Sequence, residues 1–169
     1  NPEIKNTFLI GGGGFAYPKF YVHTYENAEI TVSEINTDVI SVAFQYFGLH
    51  DLSEDETKRM HIVNEDGIDF LRESNKKFDL IINDAFTGKK EQRRDEESIQ
   101  IIHDALHEKG IYIVNVPTAL SGPFAKKGNA FRKLLQNHFK HTVLLATQEE
   151  KQPFEKQNVL MISSDSELL

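Results

Sequence analysis

Four clusters of glycines and acids stand at the ends of apolar runs, and their residue types fit the binding of a nucleoside. Gly11-Gly12-Gly13-Gly14 follows the run Thr7 to Ile10. Without Cβ atoms, such a loop brings backbone amides close to a ligand at a helix N-terminus. Glu34 ends the run Ile30 to Glu34, about 20 residues past the glycines, the spacing at which an acid accepts hydrogen bonds from ribose hydroxyls. Asp66-Gly67 follows a third run, His61 to Asn64. An acid there can meet an adenine amino group, although Asp-Gly is also a common turn dipeptide. Asn83-Asp84 closes the most apolar run, Phe78 to Asn83. A carboxylate at the mouth of a buried strand is costly without a cation or hydrogen bonds, which makes Asn83-Asp84 a candidate functional position. Glycines followed by an acid serve NAD proteins and methyltransferases alike, and Gly11-x-Gly13-x-x-Ala16 loosely meets the dinucleotide pattern.

These clusters need strands to carry them, and apolar runs alternate with helical periods through most of the chain. After the glycines a helix is expected from about Tyr17, with Pro18 in its first turn. Asn36 or Thr37 caps a helix carrying Val39, Ile40, Ala43, Phe44 and Phe47. A short helix spans Ile68 to Glu73, and another places Ile99, Ile102 and Leu106 on one side until Lys109-Gly110 ends it. Ile111 to Val116 is the fifth strand. A helix with Phe131, Leu134 and Leu135 follows, then strands His141 to Ala146 and Val159 to Ser163, whose linker has no helical period, so they pair as an antiparallel hairpin. The expected fold is α/β, Rossmann-like, of the Class I methyltransferase type, with a mostly parallel seven-stranded sheet and an antiparallel C-terminal hairpin. In such sheets ligands bind outside the carboxyl ends of the strands, where all four clusters lie.

Bulk properties narrow the partners. At 169 residues the chain is long enough for one domain and short for two. A net charge of −7 disfavours a nucleic-acid backbone and favours a cation. There is no cysteine, which excludes disulfides and thiolate metal sites and fits a cytoplasmic setting. No apolar run approaches the ~20 residues of a membrane helix. His103 and His107 have the spacing of helical metal ligands but no third partner, so a solvated helix face and no metal are expected. Lys89, Lys90, Arg93 and Arg94 are interrupted and flanked by acids and read as a solvated loop.

Taken in order, LIGGGG, TVSEINTDVI, NEDGIDFLRE, FDLIINDAF and KGIYIVNV resemble the spermidine synthase family from about Thr7 to Val116. The resemblance implies a polyamine aminopropyltransferase-like enzyme using decarboxylated S-adenosylmethionine or S-adenosylmethionine as co-substrate to alkylate an amine such as a polyamine. A methyltransferase, and a non-catalytic nucleoside-binding relative, are the alternatives. It further implies Gly11 to Gly14, Glu34, Ile35, Asp66, Gly67 and Asn83 as nucleoside-binding residues and Asp84 as the catalytic aspartate. The polar segment after Asp84 would fold over the site, and a homodimer would be the assembly to expect. The chain departs from the family pattern in two places. Gly14-Phe15 stands where an acid is usual in the glycine loop, and Thr87 where a second aspartate is usual. The family's small N-terminal β domain has no counterpart in these residues.

Overall fold

Strand β1 (Asn6–Ile10) opens the computed structural model, which describes residues 4–85 and 94–168. It is followed by α1 (Ala16–Thr24), β2 (Glu29–Ser33), α2 (Thr37–Tyr46), α3 (Glu54–Arg59), β3 (Met60–Val63), α4 (Gly67–Glu73) and β4 (Phe78–Asn83). The remainder is α5 (Glu96–Asp104), β5 (Leu106–Thr118), α6 (Lys126–His138), β6 (His141–Ala146) and β7 (Gln157–Ser164). The seven strands form one sheet in the order β3-β2-β1-β4-β5-β7-β6. All neighbours are parallel except those of β7, which runs antiparallel to both β5 and β6. The expected fold class and hairpin are therefore what the chain adopts.

Local chemistry sets the helix starts. Asn36 caps α2 by accepting from the Asp38 amide at 2.9 Å, and Asp95 caps α5 by accepting from the Ser98 amide at 2.8 Å. One face of the sheet buries Phe8, Ile81, Ile99, Tyr112 and Leu135 under α4, α5 and α6. The other face buries Phe15, Val22, Ile30, Val32 and Ala43 under α1 and α2, but only beneath β1 to β3. Across β5 and β7 that second face is open among the described residues. Ile113 and Leu160 stay half-buried there, and Leu145 is exposed.

Three expectations need correction. Helix α5 stops at Asp104, and Leu106 belongs to β5, because the Phe78 amide donates to the Ala105 carbonyl at 2.9 Å and draws the chain into the ladder. A register shift between Phe78 and Leu80 then absorbs the residues up to Gly110. His107 is thus on a strand, and His103 turns to Asp165 at 3.0 Å instead of facing solvent. Helix α3 and the 3₁₀ turn Leu49–Asp51 were not anticipated. Ser53 and Glu56 form a reciprocal capping box that the sequence does display.

Candidate functional site

Sheet order reverses between β1 and β4, since the chain moves outward through β2 and β3 and then returns to β4 on the other side of β1. Crevices at such switch points hold ligands in open α/β sheets. The turns are drawn together by bonds that extend the ladder past the strand ends. The Gly11 amide donates to the Ser33 carbonyl at 2.8 Å, Glu34 to Val63 at 3.0 Å and Asp84 to Ile10 at 3.1 Å. A cavity of about 1060 Å³ opens over these turns, and Gly11 to Gly14, Glu34, Ile35, Asp66, Gly67, Asn83 and Asp84 all line it. A smaller cleft of about 260 Å³ lies at the amino ends of the strands and contains none of them.

The glycine loop needs its glycines for different reasons. Gly11 has φ +97°, and a Cβ there would stand 2.9 Å from the Ala85 backbone, so the turn after β1 packs directly on the turn after β4. Gly67 begins α4 against β1, where a Cβ would lie 2.9 Å from the Ile10 side chain. Phe15 adopts φ 55°, a left-handed conformation unusual for a bulky residue. Its completely buried ring lies beneath Gly12, whose own Cβ would approach that ring to 2.5 Å. The position that departs from the family pattern is therefore a structural plug under the loop.

Glu34 ties that loop to β2. One carboxylate oxygen accepts from the amides of Gly12 at 3.0 Å and Gly13 at 3.3 Å, and the other accepts from the Asn36 amide at 2.9 Å. Asn64 holds the Glu34 main chain through a 2.7 Å bond to its carbonyl. Asp66 caps α4, accepting from the amides of Ile68 at 2.9 Å and Asp69 at 3.2 Å. Asn83 is buried and donates to the Tyr112 hydroxyl at 3.3 Å. Burial pushes that phenol up to about 12, with the Asn83 bond opposing, so Tyr112 stays neutral.

Asp84 differs from the expectation in one respect. It is exposed rather than buried at the strand mouth. What positions it is Asn115, whose amide nitrogen donates to one Asp84 oxygen at 3.0 Å. Asn115 comes from β5, and its own side-chain oxygen is buried without a hydrogen-bond partner. Arg94 also corrects the reading of a solvated loop. It is half-buried, donates to the Asn115 carbonyl at 3.0 Å and lies 5.4 Å over the Phe131 ring. Burial lowers its pKa. Thr87, Lys89, Lys90 and Arg93 lie outside the described residues.

Sequence reasoning missed Asn115, Tyr17 and Glu65. Asn115 sits inside the quoted stretch KGIYIVNV, at the carboxyl end of β5, and that position was its signal. Glu65 precedes Asp66 and lines the cavity with it, and Tyr17 lines it from α1. Four acidic residues, Glu34, Glu65, Asp66 and Asp84, thus line the cavity, and no lysine, arginine or histidine is among the described residues lining it. Among the described residues no cluster of three or more histidines and acids is placed to hold a metal ion, and no helix is long and apolar enough to cross a membrane.

Known proteins resemble this chain in sequence and in fold. The model of the spermine/spermidine synthase domain matches residues 1–121. A polyamine aminopropyltransferase of Lachnospira eligens is 35% identical over 116 residues, which are 67% of this chain and 40% of that protein. Another, of Alkaliphilus metalliredigens, is 31% identical over 129 residues, 75% of this chain and 45% of the relative. The chain thus spans less than half the length of these two curated relatives. Among solved structures, a probable spermidine synthase from Corynebacterium glutamicum superposes with a TM-score of 0.82 at 18% identity, over 98% of this chain and 57% of that one. Human methyltransferase-like protein 13 in complex with SAH gives 0.77 at 18% identity, over 95% of this chain and 72% of that one. At such identities the likeness is one of fold.

Proposed function

Because this chain belongs to the spermine/spermidine synthase domain family, we propose that it acts as one nucleoside-binding domain that transfers an aminopropyl group from decarboxylated S-adenosylmethionine to an amine. The observation that carries this reading is the charge of the cavity lining, four acidic residues with no basic residue among the described ones. A donor bearing a sulfonium and a free ammonium is drawn into such a field. S-adenosylmethionine adds a carboxylate, which would meet no cation among the described lining residues, and the Gly12 and Gly13 amides already serve Glu34. The aminopropyl donor is therefore favoured over the methyl donor.

In this reading Gly11 to Gly14 let the nucleoside approach the backbone, and Glu34 accepts from the ribose hydroxyls. Ile35 and Gly67 border the adenine, Asp66 meets its amino group, and Asn83 fixes the floor beside Asp84. The amine lone pair attacks the propyl carbon next to sulfur, the carbon–sulfur bond breaks, and its electron pair leaves on sulfur as methylthioadenosine. Such an in-line displacement needs positioning and an unprotonated nucleophile above all. Asp84, oriented by Asn115, holds the amine and takes the proton it loses. Release of methylthioadenosine from the decarboxylated donor in the presence of an amine tests the proposal. Turnover with that donor, and little with S-adenosylmethionine, is expected; methyl transfer at the higher rate would replace this reading with the methyltransferase one.

A further inference from the structure

Strand β1 lies between β2, which leads into Glu34, and β4, which leads into Asp84. A molecule that spans these two acids therefore passes over the turn after β1 and the first turn of α1. Tyr17 stands there, the second residue of α1, and lines the cavity together with both acids. Two aromatic residues, Phe15 and Tyr17, are among the described lining. Phe15 is completely buried beneath Gly12, whereas Tyr17 is 40% exposed.

The Tyr17 ring is held from behind by its own helix. It packs on Tyr21 at 6.0 Å between ring centroids, and Tyr21 packs on Tyr25 at 5.1 Å. The Thr7 hydroxyl of β1 donates to the Tyr21 hydroxyl at 2.9 Å and fixes this stack to the sheet. Burial, with the two neighbouring tyrosines, pushes the Tyr17 phenol up to about 12, so the residue carries no charge of its own near neutral pH.

Resting on the aminopropyl reading above, we propose that Tyr17 is a donor-specificity residue whose ring holds the sulfonium of decarboxylated S-adenosylmethionine through a cation–π contact. With the ribose on Glu34 and the reacting carbon beside Asp84, the sulfur bonded to both parts sits over β1 and against Tyr17. An aromatic face attracts a cation within about 6 Å of its centroid, and a neutral thioether gains no such attraction. The ring therefore reads the charge on sulfur. When the amine nitrogen bonds to the propyl carbon, sulfur leaves with the electron pair and the displaced proton passes to Asp84. Methylthioadenosine, now a thioether, has lost the contact that held the donor.

The test is calorimetric titration with decarboxylated S-adenosylmethionine and with decarboxylated S-adenosylhomocysteine, which keeps the nucleoside and aminopropyl group but lacks the S-methyl and its charge. Tyr17→Leu is expected to weaken the sulfonium about fivefold and the thioether by less than about twofold. Tyr17→Phe, which keeps the ring, should retain the preference of the unmodified chain, and melting curves of both variants check the fold. Equal weakening of the two ligands in Tyr17→Leu, or none of either, overturns the role of Tyr17 and leaves aminopropyl transfer standing. Loss of the sulfonium preference in Tyr17→Phe also overturns it. Binding of neither ligand by the unmodified chain overturns the aminopropyl reading itself.

Discussion

Glu34 and Asp84 stand on either side of β1, yet their surroundings are built on different principles. On the nucleoside side, the acids are tied by main-chain amides. Glu34 accepts from Gly12, Gly13 and Asn36, and Asp66 from Ile68 and Asp69. On the acceptor side, Asp84 is exposed and depends on one side chain from β5, above an apolar floor drawn from three strands. Backbone ties hold a carboxylate in one place whatever the ligand. A single side-chain tie, over a face open among the described residues, holds Asp84 less firmly.

If the halves divide the work, their variants must separate binding from turnover. Asp84→Asn is expected to lower kcat by ~10²–10⁴-fold, the usual worth of a positioned base, with methylthioadenosine affinity unchanged by calorimetry. Equal losses of both would erase the division. Glu34→Ala removes charge-assisted bonds worth ~1.5–3 kcal/mol each, so nucleoside affinity should fall by about 10²-fold. Its melting temperature should fall too, because the Gly12 and Gly13 amides lose their acceptor. Asn115→Leu takes the donor from Asp84, and roughly a tenfold loss of kcat with unaltered nucleoside affinity is expected. A weakened nucleoside complex would show that Asn115 belongs to the other half.

The smallest effect is a control outside both halves. Hydrogen bonds from Ser53, with a contribution from His23, hold Glu56 near a pKa of about 2, below its ordinary 4.5. Because the folded pKa is the lower one, the stability it contributes is present above pH 4.5 and is lost as pH falls toward about 2. Glu56→Gln, which mimics the protonated side chain, should lower the urea midpoint slightly at pH 6 and merge with the parent at the acid end, while kcat and nucleoside affinity at pH 7 stay as they were.

The two halves were also unequally legible in the sequence. The fold and the positions of Gly11, Glu34, Asp66 and Asp84 could be read, because each stands at the end of an apolar run whose period announces a strand. The partners of Glu34 and Asp66 are formed by turns and caps, which local sequence encodes. Asn115 was missed because its contact with Asp84 spans 31 residues and exists only once β4 and β5 pair. The apolar floor was hidden for the same reason, since Ile82, Ile113 and Leu160 meet through register and not through spacing. The error at Leu106 had another origin. A helical period continued past Asp104 in the sequence, but ladder pairing of Phe78 with Leu106 prevailed. Arg94 was read from the charges around it, whereas packing on Phe131 decides where it lies.

Titration of the chain with decarboxylated S-adenosylmethionine, methylthioadenosine, S-adenosylmethionine and NAD, followed by thermal unfolding, tests the central claim most directly. A ligand that binds the folded state alone stabilises it by RT ln(1 + [L]/Kd) and so raises the melting temperature. The account predicts that the decarboxylated donor and methylthioadenosine raise it most, S-adenosylmethionine less and NAD not at all. Stabilisation by NAD alone, or by none of the four, would contradict it.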